Sequence, residues 1–145
     1  MRAIVLSLVC AACLAPFPSV AAEDAPAAAA VVFTMSESLA NANAPRFLAQ
    51  TDRRRLADYG ALERNVAALV AQYEISSSVE VLEQTERESG FDLVVDWLLH
   101  LTPASAPGPA DRRQGRLRCR IERIEGKWKV TALAPVEFFS ALRSR

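Results

Sequence analysis

The sequence predicts an α+β domain in which N-terminal helices pack on the apolar face of a curved, four-stranded antiparallel sheet, giving a cone-like shape. Three observations predict it. Apolar residues recur every three to four positions as far as Tyr73, and from Ser77 to Ala132 they alternate with period two. Turn signals such as Ser89-Gly90 and Glu125-Gly126 separate the alternating runs, which makes neighbouring strands antiparallel.

Residues 1–22 read as an export signal. Arg2 is the only charge before Glu23, Ala3 to Val9 forms a short apolar core, Pro16 and Pro18 end it, and Val20-Ala21-Ala22 offers the small residues that cleavage requires. The core is too short for a permanent transmembrane anchor once the signal is removed. Lipid attachment at Cys13, after Ala11-Ala12, is the alternative, although Cys10 stands where a lipid signal carries leucine. Residues 23–30, rich in alanine and broken by proline, are expected to be a mobile leader, and 31–142 a single domain.

Val32, Met35 and Leu39 mark a first amphipathic helix that ends near Asn41 to Asn43. Pro45 starts a second, with Phe47, Leu48 and Thr51 inward and Arg53-Arg54-Arg55 at its C-terminus, where positive charge is favourable. After the turn at Asp58-Tyr59-Gly60, a third helix carries Leu62, Val66, Leu69, Val70 and Tyr73 on one stripe. The first strand alternates Ser77, Val79 and Val81 against Ser78, Glu80 and Leu82. The second turns Phe91, Leu93, Val95, Trp97, Leu99 and Leu101 inward, with Asp92, Val94, Asp96, Leu98 and His100 outward. Leu117, Cys119 and Ile121 form the inward face of the third strand, opposite Arg116, Arg118 and Arg120. Trp128, Val130 and Ala132 form that of the fourth, opposite Lys127, Lys129 and Thr131. Residues 102–111 make a longer loop, a flexible tip or a cover over a site, and the tail beyond Pro135 turns Phe138 or Phe139 inward.

Composition limits the function. Losing the signal removes Arg2 from 17 basic residues and none of the 17 acidic ones, leaving a net charge near −1. That excludes a dedicated nucleic-acid binder, which needs a basic excess. Cys119 is the only cysteine beyond the signal, so no intramolecular disulfide forms, and alternation places it in the core as an inert thiol. One histidine and one cysteine assemble no typical zinc site, and no phosphate-binding glycine loop or nucleophile elbow is present, so no cofactor is expected. His100 is a candidate base only if a carboxylate orients it. Asp96 lies about 13 Å away along the same strand, which makes His100 a surface residue.

The run Ala71-Gln72-Tyr73-Glu74-Ile75-Ser76-Ser77-Ser78-Val79, and Gly126-Lys127-Trp128-Lys129-Val130-Thr131 followed by Pro135 and Phe138-Phe139, resemble an exported bacterial branch of the nuclear transport factor 2-like superfamily. The resemblance covers about residues 31 to 140 and implies the cone-shaped fold. It also implies a choice among steroid isomerases, dehydratases, polyketide cyclases, carriers and non-catalytic dimers. The enzymes place ionisable residues inside the cone, whereas the inward strand residues expected here, from Phe91 to Leu101, Leu117 to Ile121 and Trp128 to Ala132, include no Asp, Glu, His or Lys.

The leading expectation is therefore a non-catalytic interaction or assembly domain, a homodimer through the open sheet face. Asp92, Val94, Asp96, Leu98, Arg116, Arg118 and Arg120 are its candidate interface, with apolar Val94 and Leu98 set among charges. The second expectation is a carrier holding a small apolar ligand in a cavity lined by Tyr59, Tyr73, Trp97, Cys119, Trp128 and Phe138. An isomerase or dehydratase is the third, and it needs an ionisable group from Tyr59, Tyr73 or the 102–111 loop.

Overall fold

Each predicted period condenses into the element it implies. The computed structural model describes residues 20–105 and 107–141. The expected signal peptide and Cys13 lie outside them, apart from the helical backbone of residues 20–22. Three helices, α1 (Val20–Ala40), α2 (Ala44–Ala49) and α3 (Tyr59–Gln72), precede four strands, β1 (Tyr73–Arg87), β2 (Gly90–Pro103), β3 (Asp111–Ile124) and β4 (Lys127–Ala134). A 3₁₀ turn, Val136–Phe139, follows. The sheet order is β1-β2-β3-β4 and every neighbouring pair is antiparallel.

The leader expected at 23–30 is instead part of α1, and Pro26 does not end the helix. Tertiary contacts hold this segment. Asp24 pairs with Arg123 at 2.7 Å, Gln84 Nε2 donates to the Ala25 carbonyl at 2.8 Å, and Ala28 is fully buried. An interior proline costs about 3 kcal/mol, which local sequence alone would not recover. Further along, Val32, Met35 and Leu39 are buried, as their spacing predicts, and Val31 is buried beside them.

Asn43 caps α2 by accepting from the Arg46 amide at 3.0 Å, and the helix stops at Ala49 rather than at the arginines. Gln50 and Asp52 instead hydrogen-bond with Val130 on β4 in a short parallel bridge. The Asp52 carboxylate then accepts from the amides of Arg54 and Arg55 at 2.9 and 2.8 Å, turning the chain across the sheet edge. This bridge covers part of the edge of β4, which otherwise presents unpaired backbone groups.

In α3, Leu62, Val66 and Leu69 are buried, whereas Tyr73 already has extended backbone and opens β1. The inward residues of β2 predicted by alternation, Phe91 through Leu101, are all buried, as are Leu117, Cys119 and Ile121 on β3. At the last hairpin Glu125 and Gly126 both have positive φ, 51° and 80°. Those are the signs a type I′ turn requires.

The fourth strand departs from the predicted pattern. Arg120 faces Ala132 and Ile121 faces Val130, so Thr131 is an extra residue in a β-bulge. Thr131 and Leu133 are consequently buried and Ala132 is exposed, the reverse of the expected parity. A second bulge inserts Leu82 between Val81 and Glu83 on β1, leaving Leu82 40% exposed.

Candidate functional site

Trp97 is 0% exposed and touches the rings of Phe47 and Phe139, at centroid distances of 6.5 and 5.1 Å. Phe139 also meets Phe47 at 5.4 Å and Phe138 at 5.2 Å. The indole N–H of Trp97 donates to Ser77 Oγ at 2.8 Å, and Ser77 and Ser36 share a 2.7 Å hydrogen bond, so the polar atoms here are satisfied.

The six residues expected to line one apolar cavity do not come together. Trp97 lies opposite Gly115 on β3 and Trp128 opposite Arg123, eight residues further along that strand, or about 26 Å. Trp128 packs on Phe91 at 5.6 Å beneath the Arg123 guanidinium. Tyr59 sits at the start of α3, half-buried, with the Arg53 guanidinium 5.5 Å from its ring centroid. Burial raises its phenol above the ordinary range, and neighbouring Glu63 adds to the shift. The Tyr73 hydroxyl donates to the Ala141 carbonyl at 3.5 Å. Phe138 is 9% exposed and packs at the space left by Gly115, where an added Cβ would lie 3.2 Å from its ring. Burial pushes the Cys119 thiol up to about 12, so at neutral pH it is protonated and a poor nucleophile.

Alternation also places Arg113 on the inward side of β3, a position the sequence reading passed over. Its guanidinium donates to the carbonyls of Phe138 and Ser140 at 2.7 and 2.6 Å and approaches Asp111 at 3.5 Å. Asn65 Nδ2 donates to the Val136 carbonyl at 3.2 Å. These bonds hold the tail against the core, with the Phe139 ring against Trp97 and Phe47. Counting odd positions back from Leu117 would have found Arg113. Among the described residues the buried polar side chains are Ser36, Ser38, Thr51 and Thr131, with no carboxylate, histidine or lysine, and no group of His, Cys, Asp or Glu could hold a metal ion.

The outward sheet face carries all seven candidate interface residues, and its cross-strand register arranges them in rows. One row reads Thr85, Asp92, Arg120, the next Glu83, Val94, Arg118, then Glu80, Asp96, Arg116, and finally Ser78, Leu98, Gln114. Acidic residues thus occupy β1 and β2, and arginines β3. Asp92 is saturated, accepting from Arg120 at 2.9 Å and from Arg87 at 2.8 Å. Asp96 accepts from Gln114 at 2.7 Å. Glu122 accepts from Ser89 at 2.7 Å and pairs with Arg55 at 3.3 Å. By contrast, Glu80, Glu83, Arg116 and Arg118 are exposed and make no side-chain hydrogen bond or ion pair among the described residues. Val94 and Leu98 are half-buried between these columns, and His100 is exposed, flanked by Ser76 and Arg112.

A cleft of about 720 Å³ opens on this face. Its floor runs from Glu83 and Val94 to Arg118, and Leu56, Ala57 and Ala134 form its far wall.

The carboxylates give this face an acid-sensitive component. Hydrogen bonds from Arg120 and Arg87 hold Asp92 below its ordinary value of 3.8, and a hydrogen bond from Ser89, aided by Arg55, holds Glu122 below 4.5. Lowered folded-state values mean that the stabilisation is complete above the ordinary values and drains away as pH falls through the lowered ones. Urea midpoints measured from pH 6 down to pH 2 should therefore fall below about pH 4.5, and an Asp92→Asn, Glu122→Gln variant should show a flatter decline. Equal slopes for the two proteins would remove these carboxylates as the cause.

No family model matches the sequence, and neither does any curated protein. Solved structures do match in shape. The chain is similar to a conserved protein from Planctomyces limnophilus, with 16% identity and a TM-score of 0.65 over 79% of this chain and 95% of that one. It is similar to a ketosteroid isomerase-like protein from Erwinia carotovora, with 11% identity and a TM-score of 0.64 over 77% and 93%. A nuclear transport factor 2-like protein with a cystatin-like fold from Novosphingobium aromaticivorans matches at 11% identity and a TM-score of 0.60 over 78% and 80%. The fold is the cone-like, nuclear transport factor 2-like one. At these identities the similarity speaks to fold alone.

Proposed function

We propose that this chain is an exported, non-catalytic assembly domain that pairs with a second copy of itself through the outward face of its sheet. The observation that carries the reading is the division of chemistry between the two faces. The inward face is apolar around Phe47, Trp97 and Phe139, and its Arg113 guanidinium is taken up by the Phe138 and Ser140 carbonyls, whereas on the outward face, among the described residues, Glu80, Glu83, Arg116 and Arg118 are without partners around half-buried Val94 and Leu98. Acid–base chemistry in this fold would need an ionisable group presented to an enclosed substrate, and the buried polar side chains described are hydroxyls. Three strands about 4.8 Å apart over the nine residues from Asp92 to His100, with the end of β4 beside the Asp92 and Val94 rows, offer about 480 Å². Two copies would bury about 1,000 Å², the lower bound for a specific interface.

Sedimentation equilibrium of the purified chain at tens of micromolar should give the mass of a dimer. Leu98→Asp should give a monomer with an unchanged circular dichroism spectrum, because the substituted residue is on the surface of the sheet. A wild-type monomer at that concentration would refute the reading.

A further inference from the structure

The proposed self-association leaves open how two identical faces meet, and we infer that they do so about a two-fold axis running along β2. In that arrangement Glu80 and Glu83 of each copy pair with Arg116 and Arg118 of the other, and the Leu82 bulge of each enters the other's cleft. This inference rests on the reading of the outward face as a self-association surface.

A closed dimer brings the same patch of both copies together, so whatever lies on one side of the axis must suit what lies on the other. Two sheets packed face to face admit axes lying between them. An axis perpendicular to the strands would set each strand over its own counterpart, bringing the β3 arginines against arginines and β1 glutamates against glutamates. Such like-charge contacts cost several kcal/mol. An axis along β2 keeps every cross-strand row over the same row of the second copy and exchanges β1 with β3.

That exchange matches the groups left without partners. The row of Glu83, Val94 and Arg118 meets itself with Glu83 over Arg118, and the row of Glu80, Asp96 and Arg116 with Glu80 over Arg116. Val94 and Leu98, on β2, then meet their own counterparts at the axis, apolar side chain against apolar side chain. Asp92 and Asp96, also on β2, face their own counterparts as well, but each is already engaged within its own copy, Asp92 by Arg87 and Arg120 and Asp96 by Gln114, and the two Arg116 guanidiniums flank the Asp96 pair.

The same placement accounts for the cleft and the bulge. The β1 strand of the second copy lies over β3, between the sheet floor at Arg118 and the wall of Leu56, Ala57 and Ala134. Its extra residue, Leu82, is one of two large apolar side chains left exposed among the described residues. Next to Glu83, it faces an apolar wall at the point where the carboxylate reaches its guanidinium.

The test uses two charge-reversed proteins, Glu80→Arg with Glu83→Arg, and Arg116→Glu with Arg118→Glu, studied by sedimentation and native mass spectrometry beside the wild type. Each alone should dimerise at least about 100-fold more weakly than the wild type, since like charges then face each other in four places. Mixed together they should form a one-to-one heterodimer of near wild-type affinity, which neither could do if it had failed to fold. If the wild type is a dimer and the reversed proteins pair with themselves as tightly, the axis along β2 is wrong and self-association survives. A wild-type monomer would overturn both.

Discussion

Trp97→Ala is expected to destabilise the fold by about 3–5 kcal/mol, the range for removing a large aromatic side chain from a core. The value should lie in the upper half of that range, because three separate losses coincide. The indole is 0% exposed, so the substitution leaves a cavity that the rigid sheet cannot close. It removes edge-on contacts with Phe139 and tilted contacts with Phe47, which tie the tail and α2 to β2. It also strips the Ser36–Ser77 pair of its third member, the indole N–H. Urea denaturation followed by circular dichroism measures the loss. Ser77→Ala leaves the ring and removes the hydroxyl that partners both that N–H and Ser36, so it should cost about 1–3 kcal/mol. A Trp97→Ala loss below that of Ser77→Ala would mean that the aromatic cluster does not anchor the core.

Gly90→Ala should be nearly as damaging, although it adds a single methyl group. A Cβ at this position would lie 2.0 Å from the Ile121 carbonyl oxygen and 3.0 Å from Glu122 Cα. Both are backbone atoms of the neighbouring strand, so no rotamer change relieves the clash and the β2–β3 ladder must separate where it begins. Overpacking costs about 1–3 kcal/mol, and a backbone-to-backbone collision belongs at or above the top of that range. Gly115→Ala is the control. There the nearest atoms belong to the Phe138 ring at 3.2 Å, which can shift by a few tenths of an ångström, so the loss should be smaller. Comparable urea midpoints for the two variants would show that the strands accommodate the methyl at Gly90.

Much of the architecture was legible because it is written in short-range periodicity. The inward faces of β2 and β3 and the core stripe of α3 follow residue by residue from spacing. The Glu125-Gly126 turn follows from its chemistry. Alternation likewise assigns Asp92, Val94, Asp96, Leu98, Arg116, Arg118 and Arg120 to one sheet face. The expected cavity was not legible, because period two reports which face a residue occupies but not how far along the sheet it lies. Trp97 and Trp128 share a face and stand about 26 Å apart along the strand.

The sequence by itself determined the order of elements, the antiparallel pairing, and which strand residues share a sheet face. Each depends on residues within a few positions of one another, where the 3.6- and 2-residue periods and turn chemistry act. Only the tertiary structure decided that residues 23–30 are helical, that Gln50 to Asp52 leave α2 to bridge β4, and that bulges at Leu82 and Thr131 reverse the strand parity beyond them. It also decided which charges are saturated within the chain and which, at Glu80, Glu83, Arg116 and Arg118, are left to face outward. The physical reason is the same throughout. These features are settled by partners distant in sequence, such as Arg123 for Asp24 and Val130 for Gln50, and their interaction energies outweigh the local preferences that the sequence pattern records.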